Sequence, residues 1–174
     1  MLLLKTGQFK SVWMIGGLFV LSGLFALLVA MGAEHILHLV PCELCLWERR
    51  PWKVLIAFGV LVLVLGPRYA RWPALLGVLC VLVSVGLSVM HIGVEQGWWP
   101  SPAAECQAHA VYGQSFENWM KTMPLRPAKP CDLPDYPFGL PISLTTLSGV
   151  YAFGVFILSL WGLRHLFRDV KRQH

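Results

Sequence analysis

Long apolar runs without a charged residue dominate the pattern of hydrophobic and polar positions along the chain. About 20 apolar residues in a helix cross the hydrocarbon core of a bilayer. Three runs reach about that length, and we predict a transmembrane helix in each, over about residues 12–31, 73–91 and 142–163. With 56% hydrophobic and 13% charged residues, the composition also departs from that of a soluble domain.

A fourth apolar run, residues 54–65, is too short to cross a bilayer by itself. Its 12 residues cover about 18 Å of a roughly 30 Å core at about 1.5 Å per residue. The helix spans the core only if it begins near Pro51 or before, with neighbouring basic side chains snorkelling to the interface. Proline suits the first turn of a helix, and Gly66-Pro67 supplies a stop. We therefore predict a fourth span over about 51–66, with the preceding cysteines at the membrane edge.

The charged residues divide unequally between the two ends of such a bundle. With both termini cytoplasmic, the inner side holds one acid, Asp169, against eight bases: Lys5, Lys10, Arg68, Arg71, Arg164, Arg168, Lys171 and Arg172. This asymmetry follows the positive-inside rule. The net charge of +5 therefore reflects membrane topology and indicates no nucleic-acid partner. The predicted fold is all-α, an integral membrane four-helix bundle in the lipid bilayer, with both termini cytoplasmic and two extracytoplasmic loops.

Four of the five cysteines lie in these two loops, one pair in each. Cys42 and Cys45 belong to the first loop. Cys106 and Cys131 belong to a long, proline-rich second loop over about 94–141. Since disulfides form and persist on the outer side of a membrane, both pairs are candidates for disulfide chemistry.

The two pairs differ in the size of the ring that a disulfide would close. A Cys106–Cys131 disulfide closes about 26 residues, worth about 3.5 kcal/mol in the chain-entropy model, so a structural role is open to it. A Cys42–Cys45 disulfide closes a very small ring and stabilises little, and strained disulfides tend to be redox-active. Positive charge on Arg49 and Arg50 and the start of the following helix favour a nucleophilic thiolate there. The first pair therefore indicates thiol redox chemistry.

Two short motifs then add a family resemblance to this pattern. With PCELCLWER at 41–49, WPSPAAEC at 99–106, the later Cys131 and four spans, the chain resembles the DsbB family of bacterial disulfide-forming membrane oxidases. The resemblance covers nearly the whole chain. The first motif is the most specific, and outside the motifs the likeness is mainly one of hydrophobic pattern.

The resemblance implies an enzyme of the bacterial inner membrane whose loops face the periplasm. Its outer-loop disulfide, Cys106–Cys131, would oxidise a DsbA-like thioredoxin-fold carrier. The first-loop disulfide, Cys42–Cys45, would re-oxidise that pair. The membrane quinone pool, ubiquinone or menaquinone, would accept the electrons next to Cys45.

The resemblance also suggests which side chains would contact the quinone. Arg49 occupies the position of the arginine that the family places beside the ring. Trp47 and Trp52 lie near a predicted membrane interface, and both are candidates for the wall of the quinone site.

The family has a histidine at the outer end of the third span, and His91 lies near that position. However, His91 is two residues early, about 200° around a helix, so Glu95 or Gln96 is an alternative contact. No metal site is expected.

Two other functions remain open at this stage. One is a quinone-like substrate as in vitamin K epoxide reductase, which the Pro-Ser-Pro stretch and the first-loop Cys-X-X-Cys disfavour. The other is a non-enzymatic tetraspan protein in which the four loop cysteines hold a structural zinc ion. The unequal spacing of the two pairs and an oxidising compartment disfavour that site.

Overall fold

Four long helices make up most of the computed structural model, which describes residues 2–103, 129–139 and 141–171. They are α1 (Leu2–His35), α2 (Glu43–Tyr69), α3 (Arg71–Glu95) and α4 (Leu144–Lys171), with a short 3-10 turn at Pro137–Gly139. The described ranges contain no strand. Each long helix includes a segment long and apolar enough to cross a membrane. The predicted all-α fold with four membrane-spanning helices is confirmed.

The helices pack as a ring in which each helix contacts its two neighbours, α1 with α2, α2 with α3, α3 with α4, and α4 with α1. Large apolar side chains remain exposed around the outside of the ring, among them Leu21, Val64 and Val150. In a water-soluble protein so extensive an apolar surface would promote association. In a bilayer it is the surface that faces lipid.

The start of α2 differs from the sequence prediction and determines where the first cysteine pair lies. The sequence predicts Pro51 in the first turn, but α2 begins at Glu43 and Pro51 lies in its interior. Cys42 is the N-cap residue, and its sulfur accepts a hydrogen bond from the backbone N–H of Cys45 at 3.3 Å. This cap satisfies a backbone N–H that the first turn leaves unpaired. Membrane-spanning helices tolerate an interior proline because neighbouring groups compensate for the lost hydrogen bond.

The other end of α2 is interrupted at Gly66, as the Gly66-Pro67 stop predicted. Gly66 has φ 68° and ψ −178°, a conformation that is essentially restricted to glycine. One further turn follows, in which the N–H of Ala70 donates to the carbonyl of Gly66 at 3.0 Å. Since α3 begins at Arg71, the break and the short turn make α2 and α3 antiparallel neighbours.

Phe19 of α1 lies at the centre of the bundle core, with none of its surface exposed. Glycines on two other helices make room for it. A Cβ on Gly77 of α3 would lie 2.2 Å from the ring of Phe19, and a Cβ on Gly59 of α2 would lie 2.9 Å from its Cβ. Small residues of this kind let membrane helices approach closely. The core therefore depends on one large ring in a space shaped by glycines.

Replacing Phe19 with alanine is expected to lower the free energy of unfolding by about 3–5 kcal/mol, because the space cannot collapse fully around the smaller side chain. The measurement is thermal unfolding of the purified protein in detergent. Leu21→Ala is the matched control, since Leu21 is 69% exposed on the lipid-facing side of the same helix. Equal destabilisation by the two substitutions would show that Phe19 is not central to the core.

Candidate active site

Cys42 and Cys45 lie one helical turn apart at the start of α2. The structure holds them as free thiols, with their sulfur atoms 2.8 Å apart. Cys42 is 4% exposed, and Cys45 is half-buried. The two sulfurs are therefore within hydrogen-bond distance in the reduced state and close enough to join as the predicted disulfide.

The surroundings of Cys42 favour its thiolate. Hydrogen bonding with the thiol of Cys45 is the largest cause that lowers the pKa of Cys42, and the backbone N–H of Cys45 adds to it. Burial and the negative charge of Glu48 act in the opposite direction without reversing the shift. A thiolate at the N-terminal end of a helix is also stabilised by the helix dipole. The lowered pKa makes Cys42 the more nucleophilic candidate for thiol exchange.

The lowered pKa of Cys42 predicts a thiolate at a pH where an ordinary cysteine, with a pKa of about 8.5, is still protonated. A group with a lowered pKa loses its proton earlier as the pH rises, so its titration step should lie below that of a free thiol. The measurement is the ultraviolet absorbance of thiolate in the reduced protein as a function of pH. Cys42→Ser should remove the step, Cys45→Ser should move it to higher pH, and Cys80→Ser should leave it unchanged. A step at or above the ordinary value would contradict the assignment.

His91 lies beside this cysteine pair and is 3% exposed. Its Nε2 atom is 3.5 Å from the sulfur of Cys42, and its Nδ1 atom is 3.0 Å from Oε1 of Glu48. The hydroxyl of Ser148 donates to Oε2 of Glu48 at 3.0 Å. A chain of polar contacts thus runs from Ser148 of α4 through Glu48 of α2 and His91 of α3 to the sulfur of Cys42.

The two alternatives to His91 have other positions. Glu95 accepts a hydrogen bond from the hydroxyl of Ser143 at 2.8 Å and also lines the cavity described below. Gln96 is the C-cap residue of α3 and does not line that cavity. Although the sequence count places His91 two residues early, its Nε2 atom lies 3.5 Å from the sulfur of Cys42.

Arg49 joins α2 to the end of α1. Its Nη1 atom lies 2.6 Å from Oε1 of Glu34, and both side chains are mostly buried. Sequence reasoning placed positive charge next to the thiols, whereas the structure pairs this arginine with a carboxylate on the neighbouring helix. Arg49 remains in the wall of the cavity, as does Glu34. A guanidinium held by one carboxylate keeps further N–H donors for a ligand.

Trp47 packs against the apolar cluster that contains Cys42 but does not line the cavity. Its indole N–H donates to Oε1 of Glu43 at 2.8 Å, and its ring lines a separate apolar groove with Arg50 and Cys80. The tryptophan that lines the cavity is Trp52. Of the side chains predicted to contact a quinone, Cys45, Arg49, Trp52 and His91 line the cavity, whereas Trp47 lines the separate groove.

A cavity of about 150 Å³ lies at this end of the bundle, with walls from all four helices. Engineered protein cavities of about this volume hold a single benzene ring. Most of the wall is apolar, including Phe25, Val29, Trp52 and Tyr151, and the polar groups include Cys45, Glu48, Arg49 and His91. An apolar space with a few convergent polar groups is the usual form of a small-molecule site. The arrangement suits a planar ring with polar substituents.

Cys131, the second cysteine of the long loop, packs next to the first pair. It is 1% exposed and belongs to one apolar cluster with Cys42, Leu44, Val94 and Ala103. Cys106 and most of the predicted loop lie outside the described residues. The Cys106–Cys131 disulfide therefore stays a prediction, while the packing of Cys131 against the cluster of Cys42 is observed.

Glu48, Glu34 and Ser148 are site residues that the sequence analysis missed. Glu48 had a readable signal, because Cys45, Glu48 and Trp52 are spaced to share one face of a helix and an acid in a membrane-spanning helix is usually functional. Ser148 had none, since it is 100 positions away from Glu48.

Comparison with known proteins adds a family to this geometry. The family model described as "Disulfide bond formation protein DsbB" matches residues 11–162. An uncharacterized protein of Rickettsia prowazekii is 30% identical over 112 residues, which is 64% of each chain. A protein of Acinetobacter baylyi named "Disulfide bond formation protein B" is 30% identical over 87 residues, 47% of this chain and 49% of the relative. The chain thus aligns with about half to two thirds of the length of these relatives. No solved structure gives a significant match.

Proposed function

Because the chain belongs to the DsbB family of disulfide bond formation proteins, we propose that it re-oxidises a DsbA-like thioredoxin-fold carrier and passes the electrons to a membrane quinone. The observation that carries this proposal is the position of Cys42 and Cys45 in the wall of a ring-sized apolar cavity among membrane-spanning helices. A quinone is confined to lipid, so a dithiol that reduces it has to lie at the membrane edge. The enzyme would lie in the bacterial inner membrane with its cysteine loops facing the periplasm.

The proposed relay moves two electrons through a series of disulfide exchanges. The carrier's thiolate attacks Cys106 and releases Cys131. Cys131 then attacks Cys42 and releases Cys45. The carrier's second thiolate displaces Cys106, which in turn displaces Cys42 from Cys131. The balance is one carrier dithiol oxidised and one enzyme dithiol, Cys42 with Cys45, formed. The packing of Cys131 in the cluster of Cys42 supports the middle exchange.

The side chains around the dithiol suit the proton movements that accompany its oxidation. Nε2 of His91, 3.5 Å from the Cys42 sulfur, can take the thiol proton. Glu48 accepts the other ring N–H, so it orients the imidazole and stabilises its charged form. A quinone at the cavity would supply a two-electron, two-proton acceptor. The guanidinium of Arg49 would stabilise negative charge on the ring oxygen.

Substitution of Arg49 tests the proposed contact with the quinone. A hydrogen bond to a charged group is worth about 1.5–3 kcal/mol, so Arg49→Gln should raise the KM for quinone by roughly tenfold to a hundredfold. The measurement is steady-state turnover against quinone concentration with the carrier saturating. Glu34→Gln is the matched control, because it breaks the same ion pair and leaves the guanidinium in place. Equal KM values for the two variants would indicate a purely structural ion pair.

The function itself is tested by counting carrier thiols under anaerobic conditions. Protein freed of quinone and reconstituted in liposomes should oxidise only a stoichiometric amount of reduced carrier. Addition of ubiquinone or menaquinone should make the same reaction catalytic. Catalytic thiol loss without quinone, or none with either quinone, would refute the proposed electron acceptor.

A further inference from the structure

The reduced dithiol and His91 together form a group of potential metal ligands. One ligand atom from each of Cys42, Cys45 and His91 lies within 4.8 Å of the other two. A tetrahedral zinc ion, with Zn–S of about 2.3 Å and Zn–N of about 2.0–2.1 Å, holds its sulfur and nitrogen ligands about 3.5 Å apart. The observed separation between the Cys42 sulfur and Nε2 of His91 is 3.5 Å. We propose that the reduced protein binds a soft divalent cation such as Zn²⁺ through these three side chains.

The hydrogen bonds of His91 prepare its Nε2 atom for this role. Nδ1 lies 3.0 Å from Oε1 of Glu48, so a proton on Nδ1 is donated to the carboxylate and the lone pair of Nε2 points toward the sulfurs. Metal-ligating histidines usually carry such a carboxylate on the other ring nitrogen. Ser148 in turn donates to Oε2 of Glu48 at 3.0 Å, which holds the carboxylate in place. The outer ligand shell of a metal site is thus present.

The cysteine pair also has the spacing and chemistry of a zinc site. Two intervening residues are a common spacing for paired zinc thiolates. The sulfurs, now 2.8 Å apart, need to separate by about 1 Å to span a tetrahedral edge of about 3.8 Å. Binding releases two thiol protons, forms two Zn–S bonds and one Zn–N bond, and changes no oxidation state. Thiolate and imidazole ligands select Zn²⁺ over Mg²⁺ or Ca²⁺.

The site exists only when the first cysteine pair is reduced. Formation of a Cys42–Cys45 disulfide removes both thiolates and leaves His91 without metal partners. Three protein ligands leave a fourth position for water. A bound cation would also keep the dithiol from donating electrons. That inhibitory consequence rests on the proposed function, whereas the binding itself does not.

The test uses Co²⁺ as the probe, with a variant in which Cys106→Ser and Cys131→Ser remove the long-loop thiols. Anaerobic titration of the reduced protein should give the visible bands of tetrahedral cobalt and a thiolate charge-transfer band in the near ultraviolet. The bands should saturate at one ion per chain and disappear when Zn²⁺ displaces the cobalt. Protein with a Cys42–Cys45 disulfide should give neither.

Substitutions identify the ligands in the same assay. Cys42→Ser, Cys45→Ser and His91→Ala should each abolish the charge-transfer and tetrahedral spectrum, and Glu48→Gln should weaken binding by about 10–100-fold. Cys80→Ser should retain the cobalt spectrum.

Thermal unfolding without metal identifies the variants that are folded. If His91→Ala is not folded, His91→Asn takes its place. No bands in the reduced protein, or equal bands in the oxidised protein or in a folded ligand variant, would overturn the proposal. Quinone turnover is not part of the readout, so the result is independent of the proposed function.

Discussion

Replacement of Cys45 with serine is expected to reduce quinone-linked oxidation of the carrier to the uncatalysed rate. A serine hydroxyl cannot form a disulfide with Cys42 and cannot donate electrons, so the proposed relay would stop before the quinone. Cys45 lines the ring-sized cavity. Among the described residues, Cys42 is the one other thiol in its wall. The measurement is the loss of quinone absorbance with excess reduced carrier.

Cys80→Ser is the matched control for the Cys45 substitution. Cys80 is a free cysteine in α3 whose thiol donates to the backbone carbonyl of Pro51 at 3.1 Å. A serine hydroxyl can make the same hydrogen bond, and Cys80 lines the groove away from the cavity. Turnover should therefore stay near the wild-type rate. Turnover in Cys45→Ser that approaches the rate of Cys80→Ser would show that electrons reach the acceptor by another path.

Replacement of Cys131 with serine is expected to separate the two halves of the relay. Oxidation of the protein carrier should stop, because the thiolate that attacks Cys42 is missing. A small dithiol such as dithiothreitol can enter where a protein cannot, so it should still reduce the Cys42–Cys45 disulfide and support quinone loss. The measurement compares quinone consumption with the carrier and with dithiothreitol.

The Cys42→Ser variant completes that comparison, because it removes the sulfur common to both routes and should lose both activities. Carrier oxidation that persists in Cys131→Ser would refute the proposed order of exchanges. Loss of the dithiothreitol reaction in Cys131→Ser, with the fold intact by thermal unfolding, would place Cys131 in the final step instead.

The number and type of the helices could be predicted because lipid imposes a simple rule on composition. Charge-free runs of about 20 residues have few alternatives to a spanning helix. The start of α2 was harder, because the sequence places it only near Pro51 or before, whereas the N-cap is Cys42 and Pro51 lies inside the helix. The cap at Cys42 and the interior position of Pro51 both lie outside the apolar run 54–65, so the run itself does not indicate them. The break at Gly66 was predictable since it depends on a local conformational preference.

The side-chain constellation of the site was less predictable than its cysteines. The two-residue spacing of Cys42 and Cys45 is local, so the sequence shows it directly. The contact between His91 and Glu48 joins positions 43 apart on two helices, and its existence depends on how those helices pack. The sequence offers both Trp47 and Trp52 for the wall of the site, and the same packing places Trp52 at the cavity. Which side chains reach the site depends on the rotation of each helix about its axis, and the sequence pattern determines that rotation only coarsely.

The most direct test of the account is a single turnover without any carrier. Pre-reduced protein with Cys106→Ser and Cys131→Ser is mixed anaerobically with quinone, and both quinone absorbance and disulfide formation by peptide mapping are followed. We predict that one quinone is consumed for each Cys42–Cys45 disulfide formed. Quinone that remains oxidised while the dithiol stays reduced, or a disulfide that forms without quinone loss, would contradict direct electron transfer from this pair to the quinone.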